Sequence, residues 1–86
     1  MHEMSVAMEI CRIAEDQVGL DALCHVREIG VVVGRTSGVE PESLRFCLEA
    51  LLANEPFRGA RPTLELTSGD DLRVHYLEID DDRPPH

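Results

Sequence analysis

The segment HVREIGVVVG, residues 25–34, decides the fold of this chain. It is rich in Val and Ile and is bounded by Gly, a composition that predicts a β-strand. Three consecutive valines, Val31 to Val33, indicate a strand that is partly covered on both faces.

A helix is predicted on each side of this strand. Before it, residues 4–18 repeat apolar side chains at helical spacing, with Ser5 as the expected N-cap and Gly19 as the stop. After it, the loop RTSGVEPES leads into a helix over 41–54. Pro41 suits the first helical position, and Glu40 or Val39 precedes it.

Two more strands complete the predicted fold: TLELT, residues 63–67, and LRVHYLEI, residues 72–79. The connector SGDD has hairpin chemistry, so we expect these strands to pair with each other. A right-handed crossover makes the first two strands parallel. The fold class is α+β, a mixed three-stranded sheet with two helices on one face in the order α-β-α-β-β. The sequence leaves the order of strands within the sheet open.

Size and charge limit the classes of function. The chain has 86 residues, 43% of them hydrophobic and 3% aromatic, enough for one domain with an aliphatic core. We expect this domain over residues 1–80 and a disordered, acidic, Pro-rich tail over 81–86. A net charge of −9 without a basic stripe argues against nucleic acid as a partner.

No segment predicts a membrane span or a signal peptide, so we expect a cytoplasmic protein. The three cysteines, Cys11, Cys24 and Cys47, are odd in number and form no CxxC pair. Neither a disulfide framework nor a zinc knuckle is therefore predicted, and Cys11 and Cys47 are expected to be small buried apolar groups.

The start of the chain, Met1-His2-Glu3, offers a set of nitrogen ligands. His2 is large, so the initiator Met should stay. An α-amine, the amides of His2 and Glu3 and an imidazole then lie within a few bonds of one another. Square-planar nitrogen sites suit Ni(II) and Cu(II) rather than Zn(II). The alternative is that His2 binds nothing.

The other candidate ligands have structural interpretations beside the functional one. His25 and His75 fall at or within strands, where hydrogen-bonded structural histidines are common, and His86 lies in the tail. Glu40 is either a metal ligand or a carboxylate favoured by the dipole at the start of a helix.

Together, the segments MHEMSVAMEI, EIGVVVGRTSGVEPESLRFCLEALL, GARPTLEL and LRVHYLEID make the chain similar to the HypA family of nickel metallochaperones. The resemblance implies a nickel-binding domain that serves [NiFe]-hydrogenase maturation. It implies nickel ligation by the Met1-His2-Glu3 start, with Glu40 in the place of an acidic side chain that approaches the metal. It also implies a HypB-like GTPase and the hydrogenase large subunit as partners.

One departure from the family is large. The family carries a zinc domain with two CxxC motifs between its second and last strands, where this chain has only TSGDD. The resemblance is therefore to a variant without the zinc lobe, and no structural zinc is expected. We expect the fold to survive, because closing a short loop costs little entropy.

Two functions follow as alternatives. The first is a nickel-binding accessory protein for hydrogenase maturation. The second is an interaction or scaffold module that binds a hydrogenase subunit or a maturation factor without delivering metal. An enzyme is not expected: GVVVGRTSG lacks the Lys–Ser/Thr end of a phosphate-binding loop, and Cys24 and His25 would face opposite sides of a strand. An uncovered strand edge also invites pairing with another chain, either a second copy as a homodimer or a dedicated partner.

Overall fold

The computed structural model describes residues 2–80, and it divides them into three helices and three strands. Met1 and the predicted disordered tail, residues 81–86, lie outside the described residues. The elements, in chain order, are α1 (Glu3–Val18), a short 3₁₀ helix (Leu20–His25), β1 (Val26–Gly34), α2 (Pro41–Leu52), β2 (Arg61–Thr67) and β3 (Leu72–Ile79). The predicted α+β class and element order are confirmed. None of the helices in residues 2–80 is long and apolar enough to cross a bilayer.

Helix α1 begins two residues earlier than its expected cap. His2, not Ser5, is the N-cap, with extended backbone angles, and its carbonyl accepts the Val6 N–H at 3.2 Å. The Ser5 prediction was wrong because apolar periodicity marks the buried face of a helix and not its first turn. The predicted stop is confirmed: Gly19 has a φ of 86° and donates its N–H to the Glu15 carbonyl at 2.8 Å.

The sheet has the order β2-β1-β3, so the predicted hairpin between β2 and β3 was wrong. β1 lies in the centre, parallel to β2 and antiparallel to β3. At the middle of the sheet, Gly30 faces Thr63 on one side and Tyr76 on the other. A central position satisfies both hydrogen-bonding edges of β1, the strand with the most apolar sequence.

The connector between β2 and β3, residues 68–71, therefore crosses the end of β1 instead of making a tight turn. It is held there by main-chain hydrogen bonds. Gly34 donates to the Asp71 carbonyl at 2.5 Å, and Thr36 donates its N–H to the Gly69 carbonyl at 3.0 Å. A side chain at Gly34 would collide with the main chain of Gly69 and Asp71, so glycine is required at this close approach.

Both helices pack on one face of the sheet, as predicted, and the core lies between them and β1. The largest fully buried side chains are Leu23, Ile29, Val31, Val32, Val33, Leu44, Leu48 and Leu52. The other face of the sheet carries no helix among residues 2–80, and we call it the open face. On it, the ring of Tyr76 lies directly over Gly30. Val32, on this open side, is nonetheless 1% exposed. This confirms the expectation that β1 is at least partly covered on both faces.

Candidate metal centre at the start of the chain

A single hydrogen bond joins the start of α1 to the start of α2. The Glu3 carboxylate accepts the main-chain N–H of Glu40 at 3.0 Å, across 37 residues of sequence. Glu3 is half-buried and lies in the first turn of α1. Two of the four predicted site residues are therefore brought together.

The Glu40 carboxylate caps α2. It accepts the Ser43 N–H at 2.9 Å, the Glu42 N–H at 3.4 Å and the Ser43 hydroxyl at 3.1 Å. Pro41 follows at the first helical position, as predicted. Of the two roles left open for Glu40, the structure contains the one at the helix start. Whether Glu40 also binds metal stays a prediction.

Hydrogen bonds from main-chain amides keep both carboxylates ionised. The pKa of Glu3 is lowered chiefly by the N–H of Glu40, and the pKa of Glu40 is lowered chiefly by the N–H of Ser43. The charge of Glu3 acts on Glu40 in the opposite direction but less strongly. The start of α1 therefore has two negative charges beside it at neutral pH.

His2 lies just outside α1 in an extended conformation, with φ −85° and ψ 117°, and it is exposed. Its side chain makes no capping hydrogen bond to the helix. The first amides of a helix have no carbonyl partner within that helix. The imidazole of His2 and the amide nitrogens beside it are thus not committed to the helix they precede.

The remaining predicted donor, the α-amine of Met1, is outside the described residues. Within residues 2–80, no three side chains of His, Cys, Asp or Glu converge on a common point suited to a metal ion. The predicted donors are mostly main-chain nitrogens, which this observation on side chains does not test. The metal site at Met1-His2-Glu3 therefore stays a prediction.

The other histidines and the cysteines are placed apart from this segment. His25 ends the 3₁₀ helix, and its carbonyl accepts the Asp80 N–H at 2.7 Å. His75 lies on β3, with its Nδ1 3.2 Å from a guanidinium nitrogen of Arg73. All three cysteines are free. Cys11 and Cys47 are half-buried against the core, close to the expected apolar role, and burial raises the pKa of the Cys11 thiol.

Sequence reasoning missed two polar contacts. The Glu3–Glu40 bond depends on how α1 and α2 pack, and no local spacing encodes that. The second is on the open face of the sheet, where the Glu28 carboxylate accepts the Tyr76 hydroxyl and lies 3.4 Å from the guanidinium of Arg61. The hydrogen bond from Tyr76 is the main cause that lowers the pKa of Glu28.

Comparison with known proteins identifies one family. A family model described as "Hydrogenase/urease nickel incorporation, metallochaperone, hypA" matches residues 1–70. A hydrogenase maturation factor HypA from Chlorobium limicola is 37% identical over 65 residues, which cover 76% of this chain and 56% of that protein. One from Chlorobaculum parvum is 40% identical over 65 residues and is covered to 58%. The chain thus spans little more than half the length of these curated relatives.

A third relative aligns along its whole length. The hydrogenase maturation factor HypA of a Bradyrhizobium strain is 40% identical over 113 residues, which cover 93% of this chain and all of that protein. This alignment is longer than the 86-residue chain, so residues of the relative face a gap. The family model stops at residue 70, within the connector that crosses the end of β1.

Proposed function

We propose, since this chain belongs to the HypA family, that it is a nickel-binding accessory protein for [NiFe]-hydrogenase maturation. The nickel ion is its cargo, and the segment Met1-His2-Glu3 holds it. Support comes from the family description, which names nickel incorporation, and from relatives named hydrogenase maturation factor.

The observation that carries the proposal is the hydrogen bond from the Glu40 N–H to the Glu3 carboxylate. Chain ends normally fray unless a contact holds them. This bond fixes the first turn of α1 against α2, which has Leu44 and Leu48 fully buried in the core. The donors next to Glu3 are therefore presented by a fixed helix start.

The helix start also favours the chemistry that nickel needs there. Binding through the amides of His2 and Glu3 requires loss of their protons, which leaves negative charge on nitrogen. The N-terminal end of a helix carries partial positive charge, which stabilises negative charge close to it. Proton release also makes the affinity for nickel fall as the pH falls.

Glu40 has a conditional role in this proposal. Its carboxylate already accepts hydrogen bonds from Ser43 and Glu42. If Glu40 joins the nickel ligands, it gives up part of this capping, so metal binding loosens the first turn of α2. A partner that contacts α2 would then bind the nickel-loaded protein and the nickel-free protein with different affinity.

The partners in this proposal are a hydrogenase large subunit and a HypB-like GTPase, in the cytoplasm. The protein acts by carrying an ion and not as an enzyme. Nickel is the only metal proposed, since the 86 residues contain no CxxC pair for a structural zinc.

The test is a calorimetric Ni(II) titration, with absorption spectra, of untagged protein that begins at Met1. We expect one equivalent to bind, His2→Ala to abolish binding, and residues added before Met1 to do the same. His25→Ala is the matched control, because it removes an exposed histidine elsewhere and should bind as the unchanged protein does. Equal binding by the His2→Ala variant would refute the site.

A second candidate is an interaction module that does not deliver metal. It is favoured by one observation: both Glu3 and Glu40 already have structural hydrogen bonds. This module would co-purify with a hydrogenase large subunit whether or not His2 is replaced by Ala. Loss of the complex in that variant would exclude it.

A further inference from the structure

Strand β3 is at the edge of the sheet. It pairs with β1 on one side, and no strand among residues 2–80 pairs with its other side. The eight residues Leu72–Ile79 thus present main-chain donors and acceptors along an outer edge. Such an edge is a template for another strand.

A bulge at His75 gives β3 an unusual pattern of faces. Val31 lies opposite Val74 and Gly30 lies opposite Tyr76, so His75 is an extra residue on β3. His75 approaches Arg73 at 3.2 Å, and its ring meets that of Tyr76 edge-on with centroids 5.7 Å apart. Arg73, His75 and Tyr76 therefore share the open face of the sheet.

The apolar residues of β3 lie on the other face. Leu72, Val74 and Leu77 pack against the core beneath the helices. Ile79 and Glu78 continue the alternation, with Ile79 on the helix side and Glu78 on the open side. From Leu72 to His75 the side chains alternate between the helix side and the open side, beginning on the helix side. From Ile79 back to Tyr76 they alternate in the same order, so β3 reads the same from both ends.

We propose that β3 pairs with β3 of a second copy of this chain. The two strands run antiparallel about a two-fold axis that passes between His75 and Tyr76, perpendicular to the sheet. Directly opposite residues then share a face, as an antiparallel pair requires. The product is a six-stranded sheet with the helices of both copies on one side.

Each pair in this register is chemically matched. Leu72 faces Ile79 of the second copy, and Val74 faces its Leu77, so apolar groups meet on the helix side. On the open side Arg73 faces Glu78 of the second copy, and the two-fold axis creates this opposite-charge pair twice. Within residues 2–80, neither Arg73 nor Glu78 is in an ion pair, so both charges are available.

An apolar groove runs beside the same edge. Between α1 and β3 it has a volume of about 330 Å³ and is lined mainly by Val6, Ile10, Ile13, Leu72 and Val74. Ile13 and Val74 also line a second groove of about 440 Å³ that continues to Leu77 and Ile79. In the proposed register, Leu77 and Ile79 of the second copy lie beside the first groove, at Val74 and Leu72. Val74 and Leu72 of the second copy lie beside the part of the second groove at Leu77 and Ile79.

The bulge excludes the neighbouring registers. If the axis passed through His75 or through Tyr76, Arg73 would face Leu77 or Ile79 of the second copy, although those side chains lie on opposite faces. A one-residue slip thus places side chains from opposite faces of the sheet across from each other along the whole strand.

The competing interpretation is that the bulge and the charges of β3 keep the edge unpaired, as they do in many monomeric proteins.

The test is sedimentation of the intact protein over a range of concentrations, in a chelator so that no metal bridges the copies. We expect a monomer–dimer equilibrium. Arg73→Glu and Glu78→Arg should each weaken the dimer about tenfold, because each turns both opposite-charge pairs into like-charge pairs. Glu65→Arg, the same charge reversal on the edge strand β2, is the control and should leave the dimer unchanged.

Mixing the two weakened variants gives the sharpest readout. Arg73→Glu and Glu78→Arg in equal amounts restore both opposite-charge pairs, so the mixture should recover the dimer that neither forms alone. Circular dichroism checks that each variant is folded. A protein that stays monomeric throughout, or a dimer indifferent to these charges, would overturn the proposal. Because no nickel is present, either result leaves the proposed nickel site unaffected.

Discussion

The close contact between Gly34 and the connector at residues 68–71 leads to a quantitative prediction. In a Gly34→Ala variant, the new methyl group would stand within 2.6 Å of the Asp71 nitrogen and the Gly69 carbonyl carbon. These are main-chain atoms, so no side chain can rotate away to make room. The connector must move off the end of β1, and the hydrogen bond from Gly34 to the Asp71 carbonyl is strained or lost.

The expected cost combines overpacking with the lost hydrogen bond. Forcing an extra methyl group into a packed site costs about 1–3 kcal/mol, and a net hydrogen bond contributes about 1 kcal/mol. We therefore expect Gly34→Ala to lower the free energy of unfolding by about 2–4 kcal/mol. At about 4–8 °C per kcal/mol for a domain of this size, that lowers the melting temperature by about 8–32 °C.

The assay is urea unfolding followed by far-UV circular dichroism, with Gly69→Ala as the matched control. A methyl group at Gly69 would meet only the Asp71 carboxylate, at an ordinary 3.5 Å, and Gly69 does not have a positive φ. Gly69→Ala should therefore change the stability by less than about 0.5 kcal/mol. If both variants are equally stable, or if Gly34→Ala costs less than its control, the described crossing is wrong.

Two further predictions concern α2. Because its pKa is lowered in the folded state, the Glu40 carboxylate stabilises the fold at pH values above its ordinary pKa of 4.5, and this contribution disappears as the pH falls through the lowered value. Glu40→Ala should therefore lower the urea midpoint at neutral pH, and its difference from the unchanged protein should shrink as the pH falls below 4.5 through the lowered pKa of Glu40; a difference that stays constant with pH would contradict this. Leu48→Ala, at a fully buried position, should cost about 2–5 kcal/mol by the same assay, whereas Phe46→Ala, with Phe46 72% exposed, should cost under about 0.5 kcal/mol. Similar costs for the two would show that the buried face of α2 is assigned wrongly.

Local signals predicted most of the elements. Pro41 marked the start of α2, and Gly19 marked the end of α1, because each residue has a specific backbone requirement at a helix terminus. Boundaries without such a residue were less accurate. α2 ends at Leu52 rather than residue 54, and β2 begins at Arg61 rather than residue 63.

The wrong prediction of a hairpin between β2 and β3 has a physical explanation. SGDD suits a tight turn, but turn chemistry is local and says nothing of which edges need partners. The better signal was in β1: a strand buried on both faces belongs in the centre of a sheet, which puts β2 and β3 on either side of it. A hairpin would have left β1 at an edge.

The candidate site was predictable only in part. The residue types Met1, His2, Glu3 and Glu40 could be chosen from their ligand chemistry and from the family resemblance. The Glu3–Glu40 contact arises from the packing of two helices, which depends on the whole core. The capping role of Glu40, by contrast, follows from its place directly before Pro41.

The crossing of residues 68–71 over β1 also determines how this fold tolerates insertions. Thr67 and Leu72 flank β1 from opposite sides, so the two chain ends at this point are about two strand spacings, roughly 10 Å, apart. A four-residue bridge spans that distance, and so would any folded unit whose own termini lie equally close together. β2 and β3 each take their register from β1 and not from each other. A folded unit could therefore replace the four-residue bridge without any change in the pairing of the strands. The connector between β2 and β3 is therefore a site where evolution or design can insert or remove a folded unit while the three strands keep their pairing.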